Sequence, residues 1–427
     1  MGDWAKAHRE WLTAKYSGDE ARKRSVGTNL ISDQNQDSSY FGSLAIGTPP
    51  VSYNVILDTG SADLWLADSN CSSCNGVATF NPNSSSSFSS SGSPFSISYG
   101  SGQATGYAGS DTVQMAGFKV TNQTFGLADQ VSSGLLNNPV SGLLGLAFKQ
   151  IAASGATPFW QALVEGGAWD QPLMAFHLTR HVGDPSSQNL EYGGSLTMGG
   201  TNNSLYTGDI EWHNLATNPS FWVLSLTSLT TQGNAVSIPG GREAYSAIDT
   251  GTTLVGGPSD VIHEFYSKIP GSSPGSGSFD GYYTYPCNQH VNATMSFGGK
   301  NWPISESDFK LTQLTPSTCL GAFFVLSTGR SAPTWIVGDT FLKNVYSLFR
   351  YNPPSVGFAQ LSDTAQSLNN ANIPAPSPTI GSVAASVAAT SLPSSMAADA
   401  ASETRTHSLL VLFVTAWTLS LLGGSLL

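Results

Sequence analysis

The tripeptide Asp-Thr-Gly occurs twice in this chain, at Asp58-Thr59-Gly60 and at Asp249-Thr250-Gly251. Each copy ends a largely apolar run, 53–57 and 244–248, and each is followed by a hydroxyl residue, Ser61 and Thr252. A single Asp-x-Gly is ordinary turn chemistry. The duplication is a stronger constraint, because a second landmark is duplicated with it. Leu143-Leu144-Gly145-Leu146 lies about 85 residues after the first triplet, and Trp335-Ile336-Val337-Gly338 lies about as far after the second. Both are short apolar runs broken by one glycine, the pattern expected where one backbone passes close against another. The chain therefore reads as two related halves with the same order of parts, at a period far too long for a stacked solenoid.

Four segments carry a resemblance: Asp58-Thr59-Gly60-Ser61-Ala62-Asp63-Leu64-Trp65, Ser96-Ile97-Ser98-Tyr99-Gly100-Ser101-Gly102, Asp249-Thr250-Gly251-Thr252-Thr253-Leu254 and Trp335-Ile336-Val337-Gly338-Asp339-Thr340-Phe341-Leu342. In this order and spacing, from about Tyr40 to about Leu361, the chain resembles the pepsin-like aspartic proteases, of the GPI-anchored fungal type. The resemblance implies a mostly β, bilobal fold with the active-site cleft between two related lobes. The domain reading is a partial prosegment at 1–25, an N-terminal lobe at 26–215 and a C-terminal lobe at 216–361. A Ser/Ala/Pro-rich stalk at 362–402 follows, then a spacer and hydrophobic tail at 403–427.

The resemblance makes Asp58 and Asp249 the catalytic pair. Two carboxylates about 3 Å apart cannot both ionise cheaply, so one pKa rises and the other falls. They would hydrolyse peptide bonds in acid by activating a water, with no acyl-enzyme and no cofactor or metal. Gly60 and Gly251 allow close approach of backbone to the water and substrate. Thr59 and Thr250 would bond across to the opposite loop, and Ser61 and Thr252 would donate to the outer carboxylate oxygens. Tyr99, Gly100 and Ser101 match the flap that closes over substrate, and Trp65 matches the residue that positions the flap tyrosine. Ser101 and Gln103 leave no carboxylate there to attract a basic side chain, which favours apolar or aromatic residues flanking the cut. Protein or peptide substrates, pepstatin-type inhibitors and a monomeric state are the expectations. The rival reading is a catalytically inactive cell-surface binding protein of the same fold; loss of either aspartate or of Tyr99 would favour it, and all three are present.

Other chemistries are weaker. A net charge of -11 with 17 Lys+Arg disfavours nucleic acid. His177 and His181 have the spacing of two metal ligands on a helix, but Leu173-Met174-Ala175-Phe176 leads in like a strand and no glutamate follows the first histidine. Gly100-Ser101-Gly102 with Gly106 lacks the spacing and the helix of a nucleotide-binding loop, and there is no Gly-x-Ser-x-Gly elbow. Short strands dominate the pattern. An exception at 261–266, after Pro258-Ser259-Asp260, predicts a short helix.

Four cysteines are present. The resemblance supports Cys71-Cys74 and Cys287-Cys319 as disulfides; the rival for the first pair is a redox or metal C-x-x-C. Asn83, Asn122, Asn202 and Asn292 open glycosylation sequons, and Asn70 is a weaker one because Cys71 is its middle residue. No apolar signal peptide follows Met1, while Lys15 and the dibasic Lys23-Arg24 resemble a prosegment and its processing site, so the chain reads as beginning inside that prosegment. Small residues at 397–402, a polar spacer at 403–407 and an apolar tail from Leu409 fit a GPI-attachment signal, with a transmembrane tail as the alternative. These flanks place the protein outside the cell, at its surface or wall.

Overall fold

The computed structural model describes residues 25–389 apart from 75, 330, 331, 379 and 381. The prosegment features at Lys15 and Lys23-Arg24, the stalk beyond 389, the spacer at 403–407 and the apolar tail lie outside the described residues. Among the described residues no helix is long and apolar enough to cross a membrane.

Strands predominate, as the alternating Val, Ile, Thr, Phe and Tyr runs predict, and the two halves are wired alike. In the first, Val51–Asp58 pairs in parallel with Val140–Gly145, which pairs antiparallel with Leu64–Ala67, which pairs in parallel with Phe118–Val131. In the second, Tyr245–Ile248 pairs in parallel with Trp335–Val337, which pairs antiparallel with Val255–Gly257, which pairs in parallel with Phe323–Val325. Each aspartate thus leaves the end of a strand that is enclosed between two others, and such strands read as continuous apolar runs. Tyr53, Val55, Leu57, Leu144 and Leu66 pack one core, with Ile248, Val255, Val337 and Phe323 as their counterparts.

The duplicated glycines mark close backbone approach. A β-carbon on Gly145 would strike the Ala62–Asp63 peptide, and one on Gly338 would strike the carbonyl of Thr252. Gly145 N–H donates to Asp63 O at 2.9 Å and Gly338 N–H to Leu254 O at 3.1 Å. Each downstream run is therefore stitched to the loop that follows its aspartate.

The halves also share a sheet. Tyr206–Asn214, Ser355–Leu361, Tyr346–Arg350, Leu173–Leu178, Leu190–Met198 and Gly27–Gln34 lie side by side, and the same sheet continues through Ser39–Ile46 into the N-terminal half. The boundary read at 215 therefore follows a strand that pairs with the last strand of the second half. The helix expected at 261–266 is present as Ser259–Ser267, and the Leu173-Met174-Ala175-Phe176 run is a strand.

The first part of the expected stalk departs from the reading. Asp363–Gln366 forms a helical turn with Ala365 fully buried, and Asn370 N–H donates to Arg180 O. Pro374 bridges to Glu191, and Ala385–Ala388 adds a parallel strand to Phe118–Val131. Ala385 and Val387 face the N-terminal core while Ser386 and Ala388 face solvent. The described residues of 362–389 thus form a strap from the C-terminal half to the far edge of the N-terminal half. Small residues suit it: Val387 lies over Gly166, where a β-carbon would stand 2.8 Å from that of Val387.

Candidate active site

Asp58 ends its strand and Asp249 directly follows Tyr245–Ile248, and both are buried, at 0% and 1% exposure. The Asp-x-Gly turn orients each carboxylate in the same way. Gly60 N–H donates to Asp58 Oδ1 at 2.7 Å, and Gly251 N–H donates to Asp249 Oδ1 at 2.8 Å. The hydroxyl residue one place further completes the pattern: Ser61 donates to Asp58 Oδ2, and Thr252 donates to Asp249 Oδ2 at 2.7 Å. The carboxyl groups are also in hydrogen-bond contact with each other.

The threonines hold the loops in this register. Thr59 Oγ1 donates to Ile248 O at 2.8 Å and accepts from Thr250 N–H at 3.0 Å. Thr250 Oγ1 donates to Leu57 O at 2.6 Å and accepts from Thr59 N–H at 3.1 Å. Four buried hydrogen bonds thus tie two loops 191 residues apart in sequence. Thr253 adds a further tie by donating to Ser38 O at 2.9 Å.

The electrostatics follow from burial. Loss of water pushes Asp58 well above the usual carboxylate range, and the Asp249 charge pushes the same way against the Ser61 hydroxyl and the Gly60 N–H. Burial also raises Asp249, opposed first by the Thr252 hydroxyl and then by the hydrogen bond with Asp58. The pair is built to retain one proton and to hold one negative charge on donated hydrogen bonds.

The hairpin Ser89–Tyr99 with Gly102–Met115 turns at Gly100-Ser101, with Tyr99 opposite Gly102. Trp65 Nε1 donates to Tyr99 OH at 2.8 Å, and the two rings lie 6.4 Å apart. Burial, then the Asp58 charge, pushes the Tyr99 phenol well above its ordinary value, so it remains protonated. Gln103 donates through Nε2 to Ser96 Oγ at 2.9 Å. Trp65 and Tyr99 sit with Phe41, Phe95, Ile97 and Leu143 in an apolar cluster beneath the hairpin.

The structure brings together the twelve residues read as catalytic, supporting and flap residues: the two triplets, Ser61, Thr252, Trp65 and Tyr99 lie in one connected network, and Gly100 and Ser101 form the turn above. It also shows two devices that the sequence reading missed. Asp63 is buried and accepts from Ala153 N–H, Ser154 N–H and Ser154 Oγ, which pins the segment after the first triplet. Lys343 is buried between Asp37, at 2.6 Å, and Asp308, at 2.8 Å, and Arg180 also pairs with Asp308. Asp339, beside the second landmark, lies in the field of Lys343, Asp249 and Asp37.

Both disulfides, Cys71–Cys74 and Cys287–Cys319, are formed, with Cα separations of 5.4 and 5.0 Å. Asn83, Asn122 and Asn292 are exposed; Asn202 is half-buried and accepts from Ser204 Oγ at 2.7 Å. His177 and His181 are both buried, at a strand and just beyond it, rather than on one helix face.

Residues 39–361 match the family described as Eukaryotic aspartyl protease. The chain is 46% identical over 352 residues to the Major aspartyl peptidase 1 of Cryptococcus neoformans var. grubii, across 80% of this chain and 72% of that one. It is 34% identical over 373 residues to Pepsin A of Sus scrofa, across 85% and 91%. It is 33% identical over 370 residues to the Aspartic protease of Phaffia rhodozyma, across 84% and 86%.

Proposed function

The chain belongs to the eukaryotic aspartyl protease family and is an aspartic-type endopeptidase acting on proteins or peptides, and from that premise we propose that Asp58 and Asp249 are its catalytic pair. The observation that carries this is the matched bonding of the two buried carboxylates, each fixed by one glycine N–H and one hydroxyl while touching the other. A water held between them is the nucleophile. The ionised carboxylate takes its proton as it attacks the peptide carbonyl, and the protonated one donates to the carbonyl oxygen. The tetrahedral diol then collapses: one of its hydroxyls returns a proton to the carboxylate that had donated, the other aspartate protonates the nitrogen, and the amine leaves. The Thr59–Thr250 bonds set the spacing of the pair, and the Tyr99 hairpin covers the cleft and excludes water.

Apolar or aromatic residues flanking the cut fit a flap whose polar side chains at 101 and 103 carry no charge. Cleavage of a peptide panel at low pH tests the assignment, with pepstatin as inhibitor. Asp58→Asn and Asp249→Asn should each abolish turnover while leaving the fold intact, and equal cleavage by either variant would rule out the pair.

The reading also places the protein outside the cell, as a glycosylated monomer made with a prosegment. Two disulfides support an oxidising compartment, and exposed Asn83, Asn122 and Asn292 suit glycan attachment. A GPI anchor on the 397–402 segment is the proposed tether. Release from membranes by phosphatidylinositol-specific phospholipase supports it, and retention with an uncleaved tail favours a transmembrane end.

A further inference from the structure

Behind the shared sheet, Asp33 on Gly27–Gln34 stands directly opposite Glu191 on Leu190–Met198. Both side chains are buried, at 0% and 3% exposure. Like charges directly opposite on paired strands destabilise a sheet, and burial sharpens the effect. The permanent cations nearby are committed elsewhere, Lys343 to Asp37 and Asp308, and Arg180 to Asp308.

His181 completes the group, and its bonding fixes its proton. Nε2 stands 2.9 Å from the carbonyl oxygen of Tyr192, which can only accept, and 3.2 Å from Thr179 Oγ1, whose own hydrogen goes to Tyr192 O at 2.7 Å, so Nε2 is assigned the hydrogen. In the neutral ring the lone pair is then on Nδ1, which stands 3.1 Å from Glu191 Oε2. A lone pair facing a carboxylate oxygen calls for a cation between them, which can be a proton, giving an imidazolium paired with Glu191, or a metal ion. Asp33 Oδ2 is fully buried and has no hydrogen-bond partner among the described residues. One ligand atom from each of Asp33, His181 and Glu191 lies within 4.8 Å of the other two.

We propose that Asp33, His181 and Glu191 form a binding site for one divalent metal ion of the zinc class, separate from the aspartate pair. One imidazole and two carboxylates suit zinc, which adds a water as fourth ligand. A tetrahedral zinc with bonds of about 2.0 to 2.2 Å spaces its ligand atoms roughly 3.3 to 3.6 Å apart, close to the His181–Glu191 separation. Asp33 and His181 already have the outer hydrogen bond that orients metal ligands, and Ser187 holds the Glu191 carboxylate in place. Asp37 N–H donates to Asp33 Oδ1 at 2.8 Å, Ser187 Oγ donates to Glu191 Oε2 at 2.6 Å, and His181 Nε2–H donates to Tyr192 O. Two carboxylates also match the charge of the ion. Its role is structural: it joins the first strand, the segment after Leu173–Leu178 and the strand bridged by Pro374, and so pins the strap to the shared sheet. The 183–190 turn beside it is largely exposed.

Titration of the full chain with Co2+ at pH 7, followed by calorimetry and visible absorption, tests the site. One saturable equivalent with a tetrahedral band is expected. Glu191→Gln and Asp33→Asn should each weaken binding about tenfold or more, whereas Asp249→Asn should leave it unchanged. Zinc should raise the melting temperature of the parent chain and not that of the two site variants. Absence of a saturable equivalent, unchanged affinity in both site variants, or loss in Asp249→Asn would overturn the proposal. Should the site variants fail to fold, anomalous diffraction from zinc-soaked crystals of the parent chain decides. A peak within bonding distance of His181 Nδ1 supports the site, and no peak there overturns it.

Discussion

A β-carbon on Gly60 would stand 2.6 Å from the Asp249 carboxyl carbon and from both of its oxygens, so the first Asp-Thr-Gly loop is moulded against the carboxylate of the second. The reverse holds for Gly251 against Asp58. The glycines are needed for the space they leave beside the opposite carboxylate.

Gly60→Ala should therefore displace Asp249. A misplacement near 1 Å at a reacting group lowers rate by about 100-fold. We expect kcat to fall by that order, and the overpacked site to lose about 1 to 3 kcal/mol of stability, measured by steady-state cleavage at acid pH and by calorimetry.

The threonine ties predict non-additive stability. Thr59→Val removes the partner of Thr250 N–H and of Ile248 O, and Thr250→Val removes the partner of Thr59 N–H and of Leu57 O. Each unpartnered buried group costs about 1 to 3 kcal/mol, so each single variant should lose roughly 2 to 6 kcal/mol in urea unfolding. The double variant should lose less than the sum, because the sites share one network.

Tyr99→Phe keeps the ring and removes the acceptor for Trp65 Nε1. The hairpin then loses its latch over the pair. A drop of about tenfold in kcat/KM is expected, corresponding to roughly 1.4 kcal/mol, with Trp65 fluorescence reporting the change of environment.

His177 works against stability in acid. Burial pushes its pKa from 6.5 down to about 4. The unfolded chain binds this proton more readily, so the folded state is fully favoured above pH 6.5 and progressively disfavoured as pH falls towards 4. The full effect is on the order of 3 kcal/mol. His177→Leu should consequently show a stability gain over the parent chain that grows between pH 7 and pH 4, read by denaturant unfolding. Asp339 has the opposite sign: burial raises it well above 3.8, so its contribution is complete below that pH and fades as pH rises.

The strap predicts a separable loss. Val387→Asp places a charge where an apolar side chain is buried, at a cost of about 2 kcal/mol or more. Limited proteolysis should then cut within 370–389 of the variant and spare the parent chain, while both retain acid cleavage activity.

The pair, its hydroxyl partners and the flap were legible because each sits within a few residues of its triplet or within one hairpin. The repeated glycines were legible as close approaches, and Gly145 and Gly338 are that. Other features were hidden by distance along the chain. Asp63 meets Ser154 across 91 residues, and Lys343 meets Asp37 across 306. No periodicity links such positions. The strap was hidden by composition, since its Ala-Ser-Val-Ala strand alternates over four residues only, too short a run to stand out from the Ser/Ala background. The strand leading into His177 was legible, but not that the sheet would set His181 against Glu191 with Asp33 close by.

The strap also fixes how a pull on the chain beyond Ala388 would be felt. Its last strand lies parallel to Phe118–Val131, with Ala385 against Phe118 and Ala388 against Thr121. Tension along it would load these backbone hydrogen bonds together in shear, rather than peel them one at a time. The load would enter the half that carries Asp58 and the Tyr99 hairpin, not the half from which the chain departs at Leu361. A tethered molecule would accordingly hang from its flap-bearing side.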